Sequence, residues 1–446
     1  MSVLVINHEA KGILAKNGVG HKTAHATLVK IFNNSKLTDA LIEQLHARLS
    51  SETFPEFNEA ISTKENLDLC PVFEELWVDV VALWVLGVPT PSQVVDVEET
   101  QRRERIVEAR RCLANLTFVV PNGYIWYFDR IRAIVPYTEY LWLPGSRDYL
   151  VRQNGKSKAR QIVDTEYVNM VKEFKEGKQR GGVAGRLLEE TLASLPEGTE
   201  ISVAQWEALF AECEAIQTAA QMPLYSIVPH ILYLLAHSPT TQKSIFAEVN
   251  KVNAKTINRT HIANFHQLES LVLEALRLLP PFATSYNRSS AENSYRLPGS
   301  WTLPKGTHVV VDFLSTLRNQ VAFGDDASTF QADRFTKLEY IPTTQETPAE
   351  SIAKLKAAIA EQKPTLKSSY IPFGAGSFAC PAQRLALDVV KVAVAEIVRK
   401  YELVAVKGRD GVSVDEIVGR LDEFGSEQGS VLRHLEGCPV AIKKRK

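Results

Sequence analysis

Cysteine is scarce in this 446-residue chain: Cys70, Cys112, Cys213, Cys380 and Cys438 are scattered and odd in number. That pattern excludes a disulfide framework, offers no spacing for a cysteine-ligated zinc site and points to a reducing compartment. Net charge is equally scarce, −1 at pH 7, so nothing electrostatic argues for a nucleic-acid partner. The short basic end, Lys443-Lys444-Arg445-Lys446, reads as a solvated terminus. No G-x-G-x-x-G fingerprint for a flavin or nicotinamide dinucleotide occurs. No signal peptide or membrane anchor stands at Met1, where Ser-Val-Leu-Val-Ile-Asn-His-Glu runs straight into charge. The apolar stretches near Leu76–Leu86 and Met222–Leu235 are interrupted by Asp79 or by Pro229 and His230; too short to span a bilayer, they read as buried helices. The expectation is an intracellular chain, soluble as given.

What is present is ample core material, 45% apolar residues, enough for one large domain or two to three ordinary ones. Helical periodicity predominates, through Ala26–Leu49, Val72–Leu86, Gln161–Glu176, Trp206–Ala236, Leu268–Leu278 and Leu385–Tyr401. Strand signals lie mainly in the C-terminal half. Arg296–Leu303 and Thr307–Phe313 read as a hairpin around Pro304-Lys-Gly306, and Tyr401–Val406 is expected to pair with Val440–Ile442. Residues 337–367 are rich in polar residues and proline, and read as a surface insertion with a short helix over 349–362. The fold class is therefore mainly α with small β-sheets.

One stretch carries chemistry. Phe373-Gly374-Ala-Gly376-Ser-Phe378-Ala-Cys380-Pro381-Ala382 is a glycine-hinged loop leading into a long amphipathic helix. Pro381 suits a first helical position, and free amides of the first turn are expected to face the sulfur and lower its thiol pKa. Gly374 and Gly376 let the backbone pass close to a flat cofactor. Upstream, Glu274 and Arg277 are three residues apart, on one helix face where a second arginine can complete a buried ion network.

The order downstream of that pair is distinctive: Arg288, then Leu303-Pro-Lys-Gly306-Thr, Phe323-Gly324, Arg334-Phe335, and finally the Cys380 loop with its helix. Together these resemble the cytochrome P450 family across nearly the whole chain. The resemblance implies a single catalytic domain over 1–446, P450-like over 1–336 and 368–446. It makes Cys380 the axial ligand of haem b, with Phe373, Gly376 and Phe378 beside the cofactor. It also makes Glu274, Arg277 and Arg334 a structural triad, and implies a lipophilic substrate and a separate NADPH-dependent reductase. An axial cysteinate pushes electron density onto iron and favours O–O cleavage.

The chain departs from the family in three places. His21-Lys-Thr-Ala-His25 resembles the start of the C helix, so an N-terminal region is expected to be missing, and with it any endoplasmic-reticulum anchor. The family's acid–alcohol pair on the long central helix falls on Met222 and Pro223, after Gln221; a register one turn off brings Gln217, Thr218 or Gln221 over the cofactor instead. A proline there also removes a helical N–H and is expected to kink the helix. Among propionate anchors Arg288 keeps its place, while Phe378 and His25 occupy positions commonly basic; His21 and Lys22 are weaker candidates. Three functions follow from this reading. The first is a reductase-dependent monooxygenase of lipid or secondary metabolism, with water or Gln221 replacing the relay. The second is a reductase-independent hydroperoxide or endoperoxide isomerase, dehydratase or peroxygenase. The third is a non-catalytic remnant. The aromatic segment Tyr124–Tyr149 resembles the substrate-lining F and G helices, though such a stripe is more often packing.

Overall fold

The computed structural model describes residues 13, 18–89, 97–118, 162–163, 165–178, 181–196, 198–285, 288–289, 295–296, 302–304, 307–336, 369–420, 424–427, 431–434 and 436–445. The expected insertion at 337–367 and the aromatic segment Tyr124–Tyr149 lie outside the described residues. Helices predominate, and the chain divides into two compact units, Met1–Leu76 with Thr218–Lys446, and Trp77–Gln217.

The first unit is organised around the helix Gln383–Lys400, whose residues Leu385, Leu387, Val389, Val390, Val392–Val394, Ala395, Ile397 and Val398 are all buried. Each such aliphatic side chain removed from water contributes up to about 1.5–3 kcal/mol. The helix packs against α2 (Ser35–Arg48), Pro239–Val249 and His266–Leu278. Periodicity alone predicts one helix over Ala26–Leu49, but the chain makes two. α1 (Gly18–Phe32) ends before Asn33, and Asn34 caps α2, its side chain accepting from the Lys36 N–H at 3.0 Å. Asparagine competes for backbone donors and so favours caps over helix interiors.

Immediately after Lys400 the chain enters a three-stranded antiparallel sheet of β1 (Leu67–Asp68), β9 (Pro439–Lys444) and β6 (Tyr401–Ala405), with β9 central. Tyr401 pairs with Lys444 and Ala405 with Val440, as the alternation predicts. Among the described residues, the two segments expected to form a hairpin around Pro304-Lys-Gly306 do not pair with each other. Thr307 N–H does donate to the Pro304 carbonyl at 3.2 Å. However, β4 (Thr302–Leu303) pairs back with β3 (Tyr295–Arg296), while β5 (His308–Val309) pairs with β2 (Arg288–Ser289). A further hairpin joins β7 (Phe424–Glu427) and β8 (Val431–His434).

The basic end is not simply solvated. Lys443 and Lys444 belong to β9, and Arg445 donates to the Val398 and Tyr401 carbonyls at 2.8 and 3.1 Å and to Gln242 Oε1 at 3.0 Å, its guanidinium 4.2 Å from the Phe246 ring. Burial lowers the Arg445 pKa, partly offset by Glu402.

In the second unit the Asp79 that interrupts an apolar run is fully buried and paired with Arg111, whose Nε lies 2.9 Å from Oδ1. Arg110 makes a bidentate pair with Glu214 at 2.8 and 2.9 Å, which keeps it charged against the cost of burial. A cavity of about 390 Å³ in this unit is lined by Glu98, Glu99, Glu166 and Glu173 with Arg102 and Arg105, a surface unsuited to an apolar ligand. Gly182 has φ +67°, and a Cβ there would collide with the Trp84 carbonyl oxygen and lie 2.5 Å from Gly87 Cα. Gly182→Ala is therefore expected to cost more than about 2 kcal/mol in urea unfolding, because backbone must move and the left-handed conformation is strained. A loss below about 0.5 kcal/mol would show that this approach is not tight in solution.

The helix Val203–Ala236 is the one described helix long and apolar enough to cross a membrane, yet 83% of its most apolar window is buried within the protein. It continues through Pro223 and Pro229 without a break.

Candidate active site

The scaffold begins with Glu274 and Arg277 on the helix His266–Leu278, both fully buried. Arg277 Nε and Nη2 donate to the two Glu274 carboxylate oxygens at 2.7 and 2.8 Å. Arg334 Nε reaches Oε1 at 3.1 Å, and the Gln331 N–H donates to the same oxygen at 3.0 Å. The remaining guanidinium donors staple the chain from Leu317 to Thr329: Arg277 binds the Leu317, Ala327 and Thr329 carbonyls, and Arg334 binds those of Asp326 and Thr329. Burial opposes the charge on Arg334, but Glu274 and Asp326 outweigh it and raise its pKa. Desolvation raises the Asp326 pKa, but Arg334 and Gln331 together outweigh it and hold the carboxyl below the usual range. The arginine pair and the glutamate are legible as a motif; Asp326 and Gln331 are not, because their role depends on the turn that brings them back.

Tyr370 ties this network to the cysteine loop, its hydroxyl donating to the Leu273 carbonyl at 3.0 Å. Burial first, then Glu274, raises the Tyr370 pKa, so the hydroxyl stays a donor. The loop itself is closed by Gly374 N–H to the Ile371 carbonyl at 2.9 Å, Cys380 N–H to the Phe373 carbonyl at 2.8 Å and Ala379 N–H to the Gly376 carbonyl at 3.2 Å. Gly374 and Gly376 take φ of +72° and +68°, which explains both glycines. A Cβ at Gly376 would meet nothing within 4 Å, and Ala375–Phe378 are exposed, so the loop's outer surface is open.

Cys380 is half-buried at the end of this loop. Two expectations about it need correction. Pro381 is not the first helical residue: the helix opens at Gln383 with Ala382 as its cap, so a single N–H, that of Ala382, serves the sulfur. Nor is the thiol acidified: burial pushes it up to about 11, against that one hydrogen bond. One amide is too little to stabilise a thiolate in a partly desolvated position, and a metal cation is the ordinary means of deprotonating such a thiol.

On the flank of the loop, Phe378 packs its ring 4.2 Å from that of His21, and His21 stacks on His25 at 5.8 Å. His25 Nε2 lies 2.8 Å from the Ala379 carbonyl oxygen. Of the positions expected to be basic near the propionates, Phe378 is 43% exposed and His25 is engaged with the loop backbone. Lys22 is exposed to solvent, and Arg288 lies in β2 opposite Val309.

The long helix presents Ala219, exposed, and Pro223, half-buried, one turn apart on one face, whereas Gln221 and Met222 are 6% and 2% exposed. Proline has no N–H, so the Ala219 carbonyl lacks its usual helical donor. Gln221 Oε1 is buried with no hydrogen-bond partner among the described residues. A few residues on, Ser226 Oγ donates to the Leu432 carbonyl of β8 at 2.7 Å.

Residues 5–419 match the family model described as Cytochrome P450. The chain belongs to the cytochrome P450 family. Among its P450 relatives, a probable cytochrome P450 313a1 of Drosophila melanogaster is 30% identical over 202 residues, 44% of this chain and 36% of the relative. A cyclooctat-9-en-7-ol 5-monooxygenase of Streptomyces melanosporofaciens is 24% identical over 308 residues, 68% of this chain and 57% of the relative. The chain thus spans between about a third and three fifths of the length of these curated relatives. P450 proteins hold haem through a cysteine thiolate, and the donor set here fits the iron side of that group: a soft sulfur on an open, glycine-bent loop with one amide directed at it.

Proposed function

We propose that this P450 is a haem b monooxygenase that hydroxylates a small lipophilic substrate of lipid or secondary metabolism. It draws electrons from a separate NADPH-dependent reductase and works as one intracellular catalytic domain. The observation that carries the reading is the half-buried Cys380 thiol, set at the end of a loop closed by three backbone hydrogen bonds and joined through Tyr370 to the Glu274 helix. The relative named for 5-monooxygenation of cyclooctat-9-en-7-ol agrees with a lipophilic substrate.

Haem, when bound through Cys380, supplies the oxygen-activating centre, and a cysteinate ligand favours O–O cleavage. The chain's own residues do the rest. The Ala382 N–H steadies the charge on sulfur, and the Glu274 network fixes the backbone from which the loop rises. Arg288 remains the candidate for neutralising propionates, His25 Nε2 being engaged with the Ala379 carbonyl. At Met222 and Pro223 the long helix offers neither acid nor alcohol; the Ala219 carbonyl can accept from a water but cannot donate, so in this register the relay falls to water or Gln221.

That same feature favours a second reading: a substrate that brings its own O–O bond, as a hydroperoxide or endoperoxide does, needs no relay from dioxygen. The two are separated by assaying the purified protein with reductase, NADPH and dioxygen, and separately with a fatty-acid hydroperoxide and no reductase. Product only in the first establishes the monooxygenase; product only in the second establishes the isomerase or dehydratase. Inertness in both, with haem bound, overturns both. Pro223→Thr restores a hydroxyl and is expected to raise the ratio of product to NADPH consumed by about tenfold or more, since a positioned proton donor is worth at least that. An unchanged ratio means residue 223 does not face the reaction.

A further inference from the structure

We infer that His25 is a positioning residue for Cys380, acting on the peptide unit that carries it. The Ala379 carbonyl and the Cys380 N–H belong to one planar amide. Its N–H donates to the Phe373 carbonyl at 2.8 Å, and its C=O lies 2.8 Å from His25 Nε2. A carbonyl only accepts, so Nε2 carries the hydrogen, which assigns the tautomer of His25. An amide held at both ends has one orientation about the loop axis, and that orientation sets where the Cys380 Cα–Cβ bond points. Without His25 it is held at one end only, in a loop whose Ala375–Phe378 stretch is exposed and whose two glycines resist little.

The ring that holds it is itself fixed. His25 stacks on His21, one helical turn earlier on α1, and His21 lies against Phe378 of the same loop. α1 thus grips the loop twice, once by a hydrogen bond and once by ring contact, 354 residues apart in sequence for the bond. The aromatic at position 378 supplies the second grip, which a flexible cation there does not provide as rigidly. The inference rests on the haem-thiolate reading for its effect at iron; the hold on the amide does not depend on it.

The test uses the full chain and the variants His25→Ala and His25→Gln, whose side-chain amide can donate to the same carbonyl. Alkylation of Cys380 by iodoacetamide, located by peptide mass spectrometry in the haem-free protein, is expected to be about five- to tenfold faster in His25→Ala and within twofold of wild type in His25→Gln, as expected for loss of one net hydrogen bond and local opening. In haem-loaded protein, the red-shifted Soret band of the reduced carbon monoxide complex is expected to give way largely to the blue-shifted form in His25→Ala, with haem content and melting temperature unchanged. Alkylation within twofold of wild type in His25→Ala overturns the inference, as does His25→Gln matching His25→Ala with a lowered melting temperature. If wild-type protein itself shows no red-shifted band, the haem-thiolate reading fails, and the alkylation result alone decides the role of His25.

Discussion

Glu274→Gln is expected to lower the stability of this P450 by about 3–5 kcal/mol, the cost of removing one partner from a buried ion pair and leaving the other uncompensated. Here the loss is double. Arg277, with no exposed surface, and Arg334 both lose the negative charge they pair with, and Arg277 Nε also loses its acceptor. The amide of glutamine can keep Oε1 as acceptor for Arg277 Nη2, Arg334 Nε and the Gln331 N–H, but in place of Oε2 it sets an N–H donor against Arg277 Nε and it carries no charge. Arg277 retains three carbonyls and Arg334 retains Asp326, so the arginines stay in place while their charges go unbalanced. Urea unfolding followed by circular dichroism measures the loss. Arg334→Lys, which keeps a charge but not the fork, is expected to cost less because Arg334 is the more exposed of the two arginines. A change under about 1 kcal/mol for Glu274→Gln shows that the three residues do not act as a unit in solution.

Cys380→Ala is expected to abolish haem binding, and Cys380→Ser to abolish the red-shifted carbon monoxide band even where some haem is retained. Both variants should unfold within about 1 kcal/mol of wild type. The side chain is half-buried and small, and the loop's closure is made by backbone groups that neither change touches. Haem titration followed by absorbance, with urea melts on the same samples, separates the two effects. Haem bound to Cys380→Ala as tightly as to wild type removes the sulfur from the site and with it the proposed function. Since burial pushes the thiol up to about 11, haem binding to wild type is also expected to release a proton near neutral pH, detectable as acidification of weakly buffered protein. The sign follows from the raised value: the thiol is neutral before ligation and charged after it.

Features that depend on side-chain identity at fixed spacing are legible in the amino-acid sequence alone. The Glu274–Arg277 pair, the Cys380 loop and the Tyr401–Val406 pairing all fall into that class, since a buried carboxylate demands its arginines and an alternating segment demands a partner strand. Features that depend on a competitor elsewhere are not. Thr307 N–H does reach the Pro304 carbonyl, but β5 is claimed by Arg288–Ser289, a partner invisible to local alternation. The break at Asn33-Asn34 is hidden by apolar spacing that runs through it. Arg445 has the look of a charged tail, yet three acceptors and the Phe246 ring hold it. The partner of His25 lies on the loop that its own helix grips, and no pattern within α1 announces it.

The helix Gln383–Lys400 starts three residues after the sulfur and hands over to β6 without a spacer. Its length is therefore a ruler between the sheet and the thiol. Deleting a single residue anywhere along it would draw the sulfur in by about 1.5 Å and swing it through about 100°, which no side-chain substitution nearby can undo. Substitutions along this segment are open to drift, but its residue count is not.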